Sequence, residues 1–181
     1  NADQRYYQGL RAEAVLKKKL PMALIHEGIG RVIYDPTGHF EQGTLVVMIP
    51  NTPVEQDEII AENYLRSSKF RASGFDGFMQ EYVSMEPDRL VVLPEDINLS
   101  VAAFTEIVSV SYHAIQRFLR FSHERRNVIG VWGDGNLGYI TSLLLKKLLP
   151  NTKVCVFGVN EYKLNDFSFV DDTYLVTDIP E

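Results

Sequence analysis

One cysteine occurs among the 181 residues. No disulfide can therefore close within them, and no cluster of four thiolates can hold a structural metal. That cysteine, Cys155, stands in Val154-Cys155-Val156-Phe157, an apolar run of strand type, and reads as a small core residue and not as a nucleophile. Positive charge is also short. Eighteen Lys and Arg against 24 Asp and Glu give a net charge of −6. A nucleic-acid binder normally shows a basic face, and the basic run here, Lys17-Lys18-Lys19, reads as a solvated segment, so nucleic acid is not an expected partner. No apolar stretch reaches the roughly 20 residues of a membrane-spanning helix, so no membrane role is expected, and the single cysteine goes with a cytoplasmic location. An initiator methionine is missing too. The chain opens at Asn1-Ala2-Asp3 and ends at Ile179-Pro180-Glu181, just after the strand-like Tyr174-Leu175-Val176, so both ends read as cuts inside domains of a longer polypeptide.

What is present falls into two patterns. Leu10 to Leu16 is compatible with a helix that Pro21 stops. Short strand-like runs follow, with turn residues between them: Arg31–Tyr34, Leu45–Pro50, Phe78–Val83 and Leu90–Leu93. A polar excursion at residues 51–73 interrupts them. Turns every 8 to 12 residues suggest a small barrel-like domain. From Leu99 the periodicity becomes helical, with Val101, Ala102, Phe104, Thr105, Val108, Tyr112, Ala114 and Ile115 on one apolar face. Residues 127–181 then alternate strand, helix and strand, the order of a parallel sheet, so the class is α/β. The expected division is 1–103 and 104–181.

The second pattern carries a glycine turn. Asn127–Trp132 reads as a buried strand, Gly133-Asp134-Gly135-Asn136-Leu137-Gly138 follows it directly, and Tyr139–Leu149 reads as a helix. This is the context in which G-x-G-x-x-G binds a dinucleotide. The first glycine makes the turn, the second admits a pyrophosphate, and the third permits close helix packing at a helix N-terminus that faces the anion. The next strand, Lys153–Phe157, leads into Gly158-Val159-Asn160. Gly158 stands where an acid would bind a ribose 2′-hydroxyl. Without that acid a 2′-phosphate meets no repulsion, and Asn160 and Lys163 are within reach of it. NADP(H) is expected over NAD(H), the alternative being that Glu161 reaches back to the ribose.

The first pattern carries Ala23-Leu24-Ile25-His26-Glu27-Gly28-Ile29-Gly30, an imidazole beside a carboxylate at the end of an apolar run. Such a pair alone is usually a surface histidine beside a solvated acid; Glu106 adds a second acidic candidate. His39 lies in a glycine-rich turn, His113 within the helical apolar pattern and His123 on a charged face, and these three rank below His26.

These residues resemble the zinc-dependent medium-chain alcohol and polyol dehydrogenases. His26-Glu27-Gly28-Ile29-Gly30 matches that family's His-Glu-x-x-Gly, Gly77-Phe78-Met79-Gln80-Glu81-Tyr82 its Gly-x-x-x-Glu-Tyr, and Ala103-Phe104-Thr105-Glu106 its Glu-containing segment. Ala2–Gly9 and Lys19–Glu27 look more narrowly like the ribitol-5-phosphate dehydrogenases. The resemblance implies a GroES-like β-barrel catalytic domain and a Rossmann dinucleotide-binding domain, both incomplete here. It implies NADPH-dependent reduction of ribulose 5-phosphate for CDP-ribitol and wall or capsule polymers, with Zn²⁺ and NADP(H) as cofactors. His26 and Glu106 would be zinc ligands, Glu27 an occasional ligand or charge partner, and Asp3 the acid that orients His26. A cysteine ligand would precede Asn1. A homodimer or tetramer, and functional pairing with a ribitol-5-phosphate cytidylyltransferase, are implied as well. Two departures stand out: Ala2 replaces the proton-relaying Ser or Thr, and residues 51–73 lack the four cysteines of a structural zinc lobe. Another polyol or sugar-phosphate dehydrogenase, and a zinc-free nucleotide-binding relative, remain the alternatives.

Overall fold

The computed structural model describes residues 2–61 and 64–178. Asn1 and residues 179–181, where the ends read as cuts, lie outside the described residues, as do Glu62 and Asn63 in the polar excursion. Contacts divide the chain into two compact units, Asn1–Glu106 and Ile107–Glu181.

The first unit opens with two short helices, α1 (Ala2–Tyr7) and α2 (Glu13–Lys19), neither of which buries a residue. Among the described residues five short strands follow: β1 (Ile29–Arg31), β2 (Leu45–Met48), β3 (Asn51–Thr52), β4 (Lys69–Phe70) and β5 (Leu90–Val92). β1, β2 and β5 form an antiparallel sheet with β2 in the middle. Leu45, Val46 and Val47 are buried in an unbroken run instead of alternating, so this strand is covered on both faces. Leu45 and Val47 pack with Leu93 and Ala102 as the core of this unit. β3 and β4 pair antiparallel across the polar excursion, which is therefore tied at its base.

Two sequence expectations fail here. No strand forms over Phe78–Val83. Gly77, Phe78 and Met79 instead donate their N–H groups to the carbonyls of Ala23, Ile25 and Leu24. That order cannot propagate as a ladder, because Ile25 takes a left-handed φ of 70° and turns its segment out of the extended path. The helix expected from Leu99 is two helices, α3 (Leu99–Ala102) and α4 (Thr105–Phe121). Asn98 caps α3 by accepting from the N–H groups of Ser100 and Val101, and the Thr105 hydroxyl donates to the Ala102 carbonyl at the break. Ala102 and Ile115 are buried, but Val101, Phe104 and Tyr112 of the expected apolar face are exposed.

The second unit follows the expected alternation: β6 (Val128–Trp132), α5 (Asn136–Leu148), β7 (Lys153–Gly158), α6 (Glu161–Leu164) and β8 (Asp172–Leu175). The three strands are parallel in the order β6-β7-β8. β7 is central and buries Val154, Cys155 and Val156. Burial also pushes the Cys155 thiol pKa up, as befits a core residue. Val154 packs with Ile115 of α4 and Leu145 of α5, and Val156 with Leu164 and Phe167. Trp132 departs from the buried-strand reading. It is 72% exposed on an outer strand and stacks on Phe157, which stacks in turn on Tyr174, with centroids 4.5 and 5.1 Å apart.

Candidate metal centre and dinucleotide site

His26 follows the left-handed Ile25, a backbone state costing a non-glycine residue about 1–3 kcal/mol. Asp3 of α1 helps to hold it, accepting the Ile25 N–H at 2.9 Å through one carboxylate oxygen. The other oxygen lies 3.9 Å from His26 Nδ1, while Glu27 lies 3.9 Å from Nε2. The imidazole thus stands between two carboxylates, its Nδ1 edge toward Asp3 and its Nε2 edge toward Glu27. The Phe70 ring, 5.1 Å away, covers one side.

Glu106, in the first turn of α4, completes the group. One ligand atom from each of His26, Glu27 and Glu106 lies within 4.8 Å of the others. Burial raises the Glu106 carboxyl pKa; the imidazole works against this, and the Glu27 charge adds to it. Two acids that crowd each other beside an imidazole form a donor set that a dication relieves. One nitrogen and two oxygens suit Zn²⁺. The 4.8 Å span is wider than the ~3.3 Å between ligands on one tetrahedral zinc with bonds near 2.0 Å, so the set stands more open than a closed zinc site.

The glycine turn is built within the second unit. Gly133 has a φ of 140°, which favours glycine, and donates its N–H to the Phe157 carbonyl at 2.8 Å. Gly135 begins α5 in extended geometry, and a side chain there would meet nothing, so its bareness leaves open space at the helix N-terminus. A Cβ on Gly138 would run into the Gly133 carbonyl, so the third glycine lets the helix close on the turn itself, not on the strand. Asn136 and Leu137 form the first turn of α5.

A Cβ on Gly158 would lie 2.8 Å from Asp134 Cβ and 2.8 Å from Leu164 Cδ2. The strand end thus lacks an acid because it has no room for one. Asn160 caps α6, its side chain accepting from the Lys163 N–H at 3.2 Å. Lys163 lines a cleft of about 490 Å³ with Asp134, Gly135, Asn136, Tyr139 and Asp166.

Asp134 is the residue that the pattern-based reading overlooks. One of its oxygens accepts the N–H groups of both Val159 and Asn160, each at 2.8 Å. Burial works against its charge, but the two amides and Lys163 more than offset that and lower its pKa. The signal was in the sequence: an acid inside the glycine turn, paired with a missing side chain at the end of the next strand. Of the other histidines, His39 bonds the Thr37 hydroxyl at 2.6 Å within its turn.

No family model matches the chain. It is 63% identical over 180 residues to the ribulose-5-phosphate reductase of Bacillus spizizenii, an alignment covering 99% of this chain and 53% of that protein. Among solved structures, the complex of S. aureus TarJ with NADPH is similar at 51% identity and a TM-score of 0.78, covering 99% of this chain and 49% of the other. Galactitol-1-phosphate dehydrogenase from Escherichia coli shares the fold at 20% identity and a TM-score of 0.74, over 89% of this chain and 47% of the other. The chain spans about half the length of the curated relatives it matches.

Proposed function

We propose that this chain, a relative of the ribulose-5-phosphate reductases along nearly its whole length, is the metal- and nucleotide-binding part of an NADPH-dependent ribulose-5-phosphate reductase. The product is ribitol 5-phosphate, consumed by a cytidylyltransferase that makes CDP-ribitol in the cytoplasm, and the whole protein is a dimer or tetramer. The observation that carries this reading is the convergence of His26, Glu27 and Glu106 within 4.8 Å.

Bound there, Zn²⁺ would supply Lewis acidity at the sugar's C2 carbonyl oxygen, and NADPH at the glycine turn would supply the hydride. The chain's own side chains prepare both sites. Asp3 stands at Nδ1 of His26, the arrangement that holds a ligating histidine with its other nitrogen toward the ion. Glu106 is kept from full solvation, which strengthens its attraction for a cation. The open space at Gly135 lets a pyrophosphate approach the N–H groups of α5; Gly158 itself carries no carboxylate, and the Asp134 carboxylate that lies against it is engaged by the Val159 and Asn160 N–H groups. Ala2 offers no hydroxyl, so the proton that completes reduction arrives through water or another group.

The test uses the intact parent protein: zinc content together with NADPH-dependent reduction of ribulose 5-phosphate. Near-stoichiometric zinc is expected, and His26→Ala or Glu106→Gln should lower both zinc content and turnover by at least about 100-fold in rate, as loss of a metal ligand does. Zinc without turnover on this sugar would point to another polyol phosphate. The absence of both zinc and turnover would refute the enzymatic reading.

A further inference from the structure

Asp134 has a task that the glycine pattern does not assign. Its side chain lodges against Gly158, where the first atoms of a strand-end side chain would otherwise lie, with Oδ2 2.9 Å from that point. From there the same oxygen holds the N–H groups of Val159 and Asn160. Asn160 passes the constraint on, because its side chain accepts from the Lys163 N–H. A chain of hydrogen bonds therefore runs from the glycine turn after β6, across the loop after β7, to Lys163 on the wall of the cleft.

Two consequences follow for an anion in that cleft. The amides of Val159 and Asn160 are already committed to a carboxylate, so they are poor donors to a phosphate. Lys163 is the cation that lines the cleft, and Asn160, which caps the turn carrying it, stands beside it in the loop; the backbone of both is fixed by the bonds just described. Asp166 also lines the cleft and disfavours a phosphate placed away from Lys163.

We infer that Asp134 is a positioning residue for nucleotide selection: its carboxylate clamps the β7–α6 loop so that Asn160 and Lys163 are set to receive a 2′-phosphate. The inference rests on the reading of this turn as an NADP(H) site. It makes selectivity a property of loop geometry, with the acid acting through its neighbours and not on the ribose.

The test is fluorescence titration of the full-length parent protein with NADPH and with NADH, alongside thermal melting. Asp134→Ala should weaken NADPH about tenfold and NADH less than about twofold, the loss expected when preorganised charged contacts must be ordered on binding. Asp134→Asn keeps an oxygen that can accept both N–H groups and should retain most of the preference. Gly158→Ala places a Cβ against Asp134, should reproduce the selective loss by displacing the carboxylate, and should add little in the double variant. Equal weakening of both nucleotides in Asp134→Ala, with a lowered melting temperature, would show a merely structural role and overturn the inference. A rise in NADPH affinity in both the Ala and Asn variants would overturn it too, by showing that the charge repels the phosphate. Wild-type protein without preference for NADPH would overturn the cofactor reading as well, whereas wild-type preference kept unchanged in Asp134→Ala would overturn only this inference.

Discussion

Gly28 and Gly77 lie close to the His26–Glu27 pair, but different neighbours enforce them. A Cβ on Gly77 would strike the backbone carbonyls of Leu24 and Ile25, the two residues before His26. Backbone cannot yield without moving the imidazole. A Cβ on Gly28 would chiefly meet the Met48 Cε at 2.8 Å, the far end of a flexible side chain. Gly77→Ala is therefore expected to cost about 2 kcal/mol and Gly28→Ala under about 1 kcal/mol, on the scale of overpacking in a core. Chemical denaturation of the two variants checks the order, and zinc content should fall only for Gly77→Ala. Equal costs would mean that the Ile25 segment is softer than its bonds suggest.

At the scale of elements, Asp171 joins three of them at the start of the parallel sheet. Its carboxylate accepts the Val154 N–H of β7 at 2.7 Å and pairs with Lys146 of α5 at 2.9 Å, while its own N–H donates to the Val154 carbonyl just before β8 begins. The Val154 N–H, and after it the Lys146 side chain, hold this carboxyl below its ordinary value of 3.8. The unfolded chain then binds a proton that the folded chain has released. The contribution is present above about pH 3.8 and is lost as the pH falls through the lower, folded value. Melting temperatures of the wild type and Asp171→Asn, measured from pH 6 to pH 3, should converge as the pH drops. A constant gap would show that the carboxylate's charge is not what matters.

Much of this element plan was legible in the sequence. Gly133, Gly135 and Gly138 sat between an apolar strand run and a helical one, and local pattern is enough to place such a unit. The parts that were not legible depend on contacts between distant residues. Nothing in Phe78–Val83 announces that its partner bends at Ile25. Nothing in the helical period after Leu99 announces that Thr105 will restart the helix. His26 and Glu27 were visible as neighbours, whereas the approach of Glu106, about 80 residues on, came from family resemblance and not from spacing.

For the whole molecule, each site draws its side chains from one unit. His26, Glu27 and Glu106 fall within Asn1–Glu106, and the glycine turn, Asn160 and Lys163 within Ile107–Glu181. Chelation of the parent protein is therefore expected to abolish turnover and lower the melting temperature by mass action. It should leave the NADPH dissociation constant within about twofold, a change below ~0.4 kcal/mol. Titration of NADPH with and without chelator is the measurement, and a tenfold change would mean that the metal and nucleotide sites are coupled.

The bond from Asp3 to the Ile25 N–H closes a loop across 22 positions of sequence. Within that loop α2 buries nothing. The entropy of closing a flexible loop grows only with the logarithm of its length, so doubling it would cost about 0.6 kcal/mol. The position of His26 is thus insulated from the number of residues that lead to it. The part of this stretch from α1 to α2 is the part left to vary in length and surface chemistry, because Ala23 and Leu24 are held as well by Asp76, Gly77 and Met79.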